Sequence, residues 1–386
     1  MTETATGMLE AKARPDADAR TATTGPSGLG RAKLTAGGIA FVLLTVGIFW
    51  YQFHRIQAGD AAPGWDQLRW GYLALILLLL PMEALACGLR IWIVCRVLEP
   101  GVSLWTCIKS EWANEFVAML TPSQSGGGPG QIYILNRGGA SVGTALTITL
   151  ISFVGTMIVL FCMGLYSLVV SGISKTGPLF VTAAGTLTVI SALMISAAVC
   201  PGVFRAVVAA LSRGFSRLIG APGRIEGWWP PSAPRSGPPV DCMDRLAAKL
   251  SDLLYNYRDD IARFTRQGKG AFVWVCVLSP VFLFSRAFMP YLCVRFLGIE
   301  ASSAREIVEA QMALIFLIFF APTPGGAGLA EGASLSIMSE VVSVGFAPYY
   351  NLLWRFSTLY VGALAGMLCI ARALLQDARH LIRHRR

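Results

Sequence analysis

Apolar residues run along this chain in long unbroken stretches separated by short polar loops, and two further stretches break in the middle. A helix crossing the ~30 Å hydrocarbon core of a bilayer needs roughly 20 apolar residues. Six runs meet that requirement and predict transmembrane helices: Leu34–Phe53, Gly71–Leu98, Val142–Ser171, Leu179–Cys200, Ala271–Leu297 and Tyr350–Leu375. The broken stretches are Leu104–Asn136 and Glu306–Gly345. The first is interrupted by Pro122, Gly126, Gly127, Gly128 and Pro129, the second by Pro322, Pro324, Gly325, Gly326 and Gly328. Their apolar half-segments are too short to span. A break at membrane depth leaves N–H and C=O groups without partners, each costing several kcal/mol, unless protein or a water-filled cavity surrounds it. Both regions therefore read as re-entrant helical hairpins whose turns mark a site.

The order of these elements repeats. Residues 71–171 form span, hairpin, span, and residues 271–375 do the same. Pro122 answers Pro322, and Pro81 in one lead span answers Pro280 in the other. Interrupted segments at corresponding places in two halves are a pointer to a transporter built from inverted repeats. The predicted fold is all-α and polytopic, with about six transmembrane helices plus two re-entrant hairpins arranged as an inverted repeat. Around this membrane domain, 34–375, lie a polar tail, 1–33, without apolar periodicity, and a basic tail, 376–386. An insert at 201–270 holds a Pro-rich stretch and an amphipathic segment, Met243–Gln267, with Leu246, Leu250, Leu253, Tyr257, Ile261 and Phe264 at helical spacing.

Composition agrees: 54% of residues are hydrophobic and 14% charged, and the mean hydropathy is +0.58. The net charge of +10 invites a nucleic-acid partner, but its distribution excludes one. Eleven Lys and Arg lie between Pro201 and Gly270 against six acidic residues, and more crowd the C-terminus at Arg372, Arg379, Arg383, Arg385 and Arg386. Arg31 and Lys33 precede the first span. By the positive-inside rule this places both termini in the cytoplasm of an inner-membrane protein, with the basicity serving topology first and anionic-lipid contact second. No cleavable leader is expected. The cysteines are scattered without a Cys-x-x-Cys pair, and the histidines, His54, His380 and His384, sit at or beyond span ends. No metal site, cofactor site or histidine-based catalysis can be assembled from them, and no enzyme activity is expected. The glycine runs do not fit a phosphate-binding Gly-x-x-x-x-Gly-Lys-Ser/Thr loop.

Ionisable groups at membrane depth are costly and so are functional candidates by default. Arg286 and Glu83 lie at similar depth in the two lead spans, and a Glu83–Arg286 ion pair is expected either to hold the halves together or to serve the site. Arg90, Arg96 and Arg355 lie nearer span ends, where snorkelling explains them. Asn114 and Glu115 approach the first break from one side, Gln311 the second. Gln131 and Glu331 each open the half-helix after a glycine run, where free N–H groups and a partial positive charge suit a phosphate oxygen. With Arg286 nearby, two such helix ends would bind an anionic or lipid-linked headgroup; the carboxylates could instead hold a proton or cation. The expected partners are membrane lipids. A membrane-embedded transferase acting on lipid-linked sugars and a non-transporting subunit of an envelope enzyme are the alternatives.

The segment Leu120-Thr121-Pro122-Ser123-Gln124-Ser125-Gly126-Gly127-Gly128-Pro129 with Gln131, the segment Pro322-Thr323-Pro324-Gly325-Gly326-Ala327-Gly328 with Glu331, and Arg355 together resemble the membrane domain of the lysylphosphatidylglycerol synthase family, also called flippase-like. The resemblance runs from Leu34 to Leu375. It implies movement of a lipid between leaflets, since the membrane domain of the synthases is associated with moving aminoacylated lipid. The synthases carry a soluble aminoacyltransferase domain after the membrane part. Here the sequence ends shortly after the last predicted span, so synthase activity is not implied. Many relatives also have an acidic residue where Gln131 stands.

Overall fold

The computed structural model describes residues 64–121, 126–171, 259–300, 303–319 and 323–383 except 340, with isolated positions elsewhere. The described residues form helices and turns, with no strand. In chain order the helices are α1 (Trp70–Leu98), α2 (Leu104–Met119), α3 (Gly127–Arg137), α4 (Val142–Ser171), α5 (Lys269–Phe296), α6 (Ala304–Phe319), α7 (Leu329–Met338), α8 (Ala347–Arg355) and α9 (Val361–Arg383). A π turn, Phe356–Tyr360, joins α8 to α9 without a break.

Four helices among the described residues are long and apolar enough to cross a bilayer: Trp70–Leu98, Val142–Tyr166, Lys269–Phe296 and Ala347–Asp377. They match four of the six expected spans. Of the other two, Leu34–Phe53 is described only at scattered helical positions such as Leu43 and Trp50, and Leu179–Cys200 lies outside the described residues. So do the amino-terminal tail, most of the insert at 201–270, and Pro122 and Pro322. One expectation is corrected in detail. The last span is not one regular helix over Tyr350–Leu375 but begins at Ala347, widens into the π turn, and continues to Arg383.

The outward faces of the long helices show the solvent they are made for. On α5, Val273, Val277, Val281 and Phe284 recur at steps of four, four and three, and all are exposed. Leu75, Leu78, Met82 and Leu85 form a similar stripe on α1. Contiguous apolar stripes of this kind are unfavourable in water and ordinary against lipid tails. The buried faces meet in a core that includes Ile76, Met289, Leu292, Leu314, Tyr350 and Trp354, and a second that includes Ile91, Val94, Leu135, Ile148 and Val275. Ile261 and Phe264, from the short helical stretch 259–267, belong to the second core.

The helices pack reciprocally. α1 lies along α5 in the most extensive contact of the bundle. α2 packs on α1 of its own half and on α9 of the other, while α6 packs on α5 of its own half and on α4 of the other. A serine stands at the start of both α2 and α6. Ser103 accepts the Thr106 N–H at 3.2 Å to cap α2, and Ser303 accepts the Glu306 N–H at 3.4 Å at the start of α6. Serine at the N-cap satisfies an amide that the helix itself leaves free. Eight positions on from each serine stand Glu111 and Gln311.

On either side of each break the flanking helices pack together, α2 against α3 and α6 against α7. At the second break the backbone reverses through Gly325, Gly326 and Gly328 at φ of 59°, 69° and 87°, a region that penalises any side chain with a Cβ. At the first, glycine is needed for space. A Cβ on Gly130 would lie 2.7 Å from the Ala113 carbonyl oxygen, so α3 could not lie so close to α2.

Candidate functional site

Two charged clusters are buried in the bundle. The first is carried by α1, α2, α3 and α5. Glu83, Cys87 and Arg90 share a face of α1 at steps of four and three, and Glu111 and Glu115 share a face of α2 at a step of four. Arg286 of α5 reaches between them. Its Nε donates to Glu83 Oε1 at 2.6 Å, and its Nη2 donates to Glu115 Oε1. Arg90 turns inward: its Nη1 donates to Thr156 Oγ1 at 2.5 Å and its Nη2 lies 3.6 Å from Glu111 Oε1. Gln131 Nε2 of α3 donates to the other Glu111 oxygen at 3.5 Å. Phe282 joins the two pairs, because the guanidiniums of Arg90 and Arg286 lie 5.5 Å and 4.7 Å from its ring centre. A cation over a ring face is attracted by the ring's quadrupole.

This cluster forms one wall of a cavity of about 320 Å³. Glu83, Glu111, Glu115 and Arg286 line it on one side, Ser357, Thr358 and Gly362 on the other. The hydroxyls of Ser357 and Thr358 bond back to carbonyls of α8, Thr358 Oγ1 to Trp354 O at 2.7 Å, which supports the widened helix at the π turn. Turns of this kind concentrate at functional sites. Both halves of the chain thus contribute to one cavity.

The second cluster closes the second break. Glu331, in the first turn of α7, accepts the Gly328 N–H at 2.7 Å on one oxygen and the Arg355 Nε at 2.7 Å on the other. Arg355 donates further to the carbonyls of Gly325 and Gly326, each at 3.4 Å. Arg355 and Glu331 are 4% and 2% exposed, so the pair is fully out of solvent. Nearby, Gln311 Nε2 donates to the Tyr350 hydroxyl at 3.4 Å, which also meets Ser334 Oγ at 3.4 Å.

Several expected placements change. Glu331 is not beside Arg286; it pairs with Arg355, and its own carboxylate fills the α7 N-terminus that a phosphate oxygen was expected to occupy. Arg355 and Arg90 do not snorkel, because each has acceptors within reach in the interior. Arg96 does stay exposed, stacked on Trp92. Gln131 points at Glu111 rather than into the first turn, and Asn114 packs against Gly127, whose added Cβ would fall 2.0 Å from the Asn114 Oδ1. Glu111 and the π turn carry more of the site than the sequence suggested. Glu111 had a usable signal in its four-residue spacing from Glu115; the π turn had none.

Gly362 and Gly366 set the distance between α9 and α2. A Cβ on Gly362 would lie 1.8 Å from Glu115 Oε2, and one on Gly366 would lie 1.9 Å from the Trp112 carbonyl oxygen. Small residues at this spacing let membrane helices approach closely. Gly366→Ala is therefore expected to destabilise the bundle by about 1–3 kcal/mol through overpacking. Gly362→Ala displaces the Glu115 carboxylate from Arg286. Thermal unfolding of both variants in the same detergent checks this, and unchanged midpoints would refute the close approach.

Apolar outer faces, buried ion pairs and broken helices around a cavity define a multi-pass membrane protein. The sequence model of the lysylphosphatidylglycerol synthase TM region matches residues 36–366, and the chain belongs to that family. Neither the curated proteins nor the solved structures contain a match.

Proposed function

We propose that this protein moves a lipid or lipid-linked molecule between the leaflets of the cell inner membrane, with both termini cytoplasmic. The observation that carries the reading is the cavity beside Glu83, Glu115 and Arg286, roofed by helices from both halves of the chain. A site shared by two halves is what alternating access needs, since rocking one half against the other changes the side to which it opens. The reciprocal packing of α2 on α9 and of α6 on α4 supports an inverted repeat with α1 and α5 at its axis. In that arrangement the turns before α3 and α7 are re-entrant and approach the midplane from opposite faces.

Arg286 is the natural partner for a headgroup phosphate, because its planar fork suits two oxygens at once. In the resting arrangement it holds two carboxylates, so a phosphate would compete with Glu115 for it. Purified protein reconstituted with headgroup-labelled phospholipid is expected to exchange label between leaflets faster than protein-free vesicles. Equal rates would end the transport reading. The topology has its own test. An impermeant thiol reagent should reach Ser125→Cys from the cytoplasmic face and Thr323→Cys from the outer face. The reverse pattern contradicts the proposed orientation.

A further inference from the structure

We propose that the cavity holds one exchangeable proton, shared by the carboxyl groups of Glu83 and Glu115, and that its uptake and release drive the transport cycle. The inference deepens the transport reading above and rests on it for the coupling, though not for the proton itself.

The charges in this largely buried cluster do not balance. Among the described residues, the charged groups that face the cluster come from three helices, and the cavity wall also carries the thiol of Cys87 on α1. Helix α1 supplies Glu83 and Arg90, α2 supplies Glu111 and Glu115, and α5 supplies Arg286. Around them α3 contributes the neutral Gln131, α4 the hydroxyl of Thr156, and the π turn and α9 the hydroxyls of Ser357 and Thr358 and the bare backbone of Gly362. Three carboxylates against two guanidiniums leave one negative charge in excess. Arg90 is committed to Glu111 and Thr156, so the excess falls on the two carboxylates that share Arg286. An isolated charge in such surroundings is far costlier than a neutral carboxyl, and buried groups respond by neutralising.

A proton fits this site better than a metal ion. Glu83 Oε1, Glu115 Oε1 and both oxygens of Glu111 already face guanidinium or amide N–H groups, and the hydroxyl hydrogens of Ser357 and Thr358 are spent on α8 carbonyls. No group of His, Cys, Asp and Glu with metal-binding geometry occurs among the described residues. The step itself is simple. A carboxylate oxygen takes a proton from water on one side, giving a neutral carboxyl that releases its hold on one arm of Arg286, and it returns the proton to water when the cavity faces the other side. No bond other than O–H forms or breaks.

The test reads the proton directly. Infrared difference spectra of the full chain in lipid, taken across neutral pH, should contain the C=O stretch of a protonated carboxyl that is lost as pH rises. Glu83→Gln or Glu115→Gln removes the excess charge and should abolish the band. Arg286→Gln raises the excess and should strengthen it about two-fold, one more proton being needed for neutrality. Absence of the band in the native protein, or its survival in both glutamine variants, would overturn the proton site. Arg286→Gln strengthens the band only if the chain still folds, so Glu111→Gln, which also cancels the excess, gives an independent check and should likewise abolish it. In vesicles, a pH gradient should accelerate label exchange in the direction of proton flow. Exchange that proceeds at the same rate with and without the gradient, beside a normal infrared band, would overturn the coupling while leaving the transport reading standing. No exchange at all would remove the transport reading and the coupling with it, while the spectra still decide the proton site.

Discussion

Replacing Arg286 by alanine should reduce leaflet exchange to the protein-free level and lower the thermal midpoint at the same time. Its guanidinium touches both Glu83 and Glu115, and so binds a carboxylate from each of two helices. Removing one member of a buried pair costs about 3–5 kcal/mol because the other is left charged and unpaired. The full figure is an upper bracket here, since the Arg286 side chain keeps 22% of its accessible surface and water can reach it. Arg286→Lys restores the charge but not the fork, so it should recover stability more than exchange. Adding Glu115→Gln to Arg286→Gln should recover folding without activity. Thermal unfolding and vesicle exchange measured on the same preparations separate these outcomes. An Arg286→Ala protein as stable and as active as the native one would contradict the site.

At the second break, Arg355→Ala should be the more destabilising change. Arg355 and Glu331 have side chains 4% and 3% accessible, so almost no solvent softens the loss. The substitution strands a carboxylate and removes the donor from the Gly325 and Gly326 carbonyls, in a turn already held at positive φ. A loss of about 3–5 kcal/mol is expected. Glu331→Ala should cost a similar amount, since it also uncovers the Gly328 N–H. The double change Arg355→Met with Glu331→Leu should be milder than either single one, because a buried pair can give way to well-packed apolar groups at little cost. With the single changes Arg355→Met and Glu331→Leu measured beside the double one, the unfolding curves form a double-mutant cycle. Single changes that cost less than about 1 kcal/mol would mean the turn is held by packing alone.

Much of this was legible in the residues. The Pro and Gly punctuation located both breaks, because few sequences can reverse direction inside an apolar stretch. Hydropathy located α1, α4 and α5 to within a few residues, and the depth of Glu83 and Arg286 in their spans put them side by side. Other parts were hidden for physical reasons. Arg355 sits nearer a span end, where a long side chain can reach water, and only the fold shows that Glu331 lies closer than the surface. Arg90 misled in the same way, since its acceptors Thr156 and Glu111 come from helices 66 and 21 residues away in the chain. The π turn left no trace, because Phe-Ser-Thr-Leu-Tyr is equally compatible with an ordinary turn of helix.

That widened turn fixes which way the end of the chain faces. Each residue of an α-helix advances about 100° around the axis. Continued at steps of four and three from Tyr350 and Trp354, a regular helix would next present Thr358, Val361 and Ala365 to its neighbours. The near-touching positions are instead Gly362 and Gly366, one residue later. A single surplus residue therefore acts as a phase shifter, and the distal helix owes its aim to it.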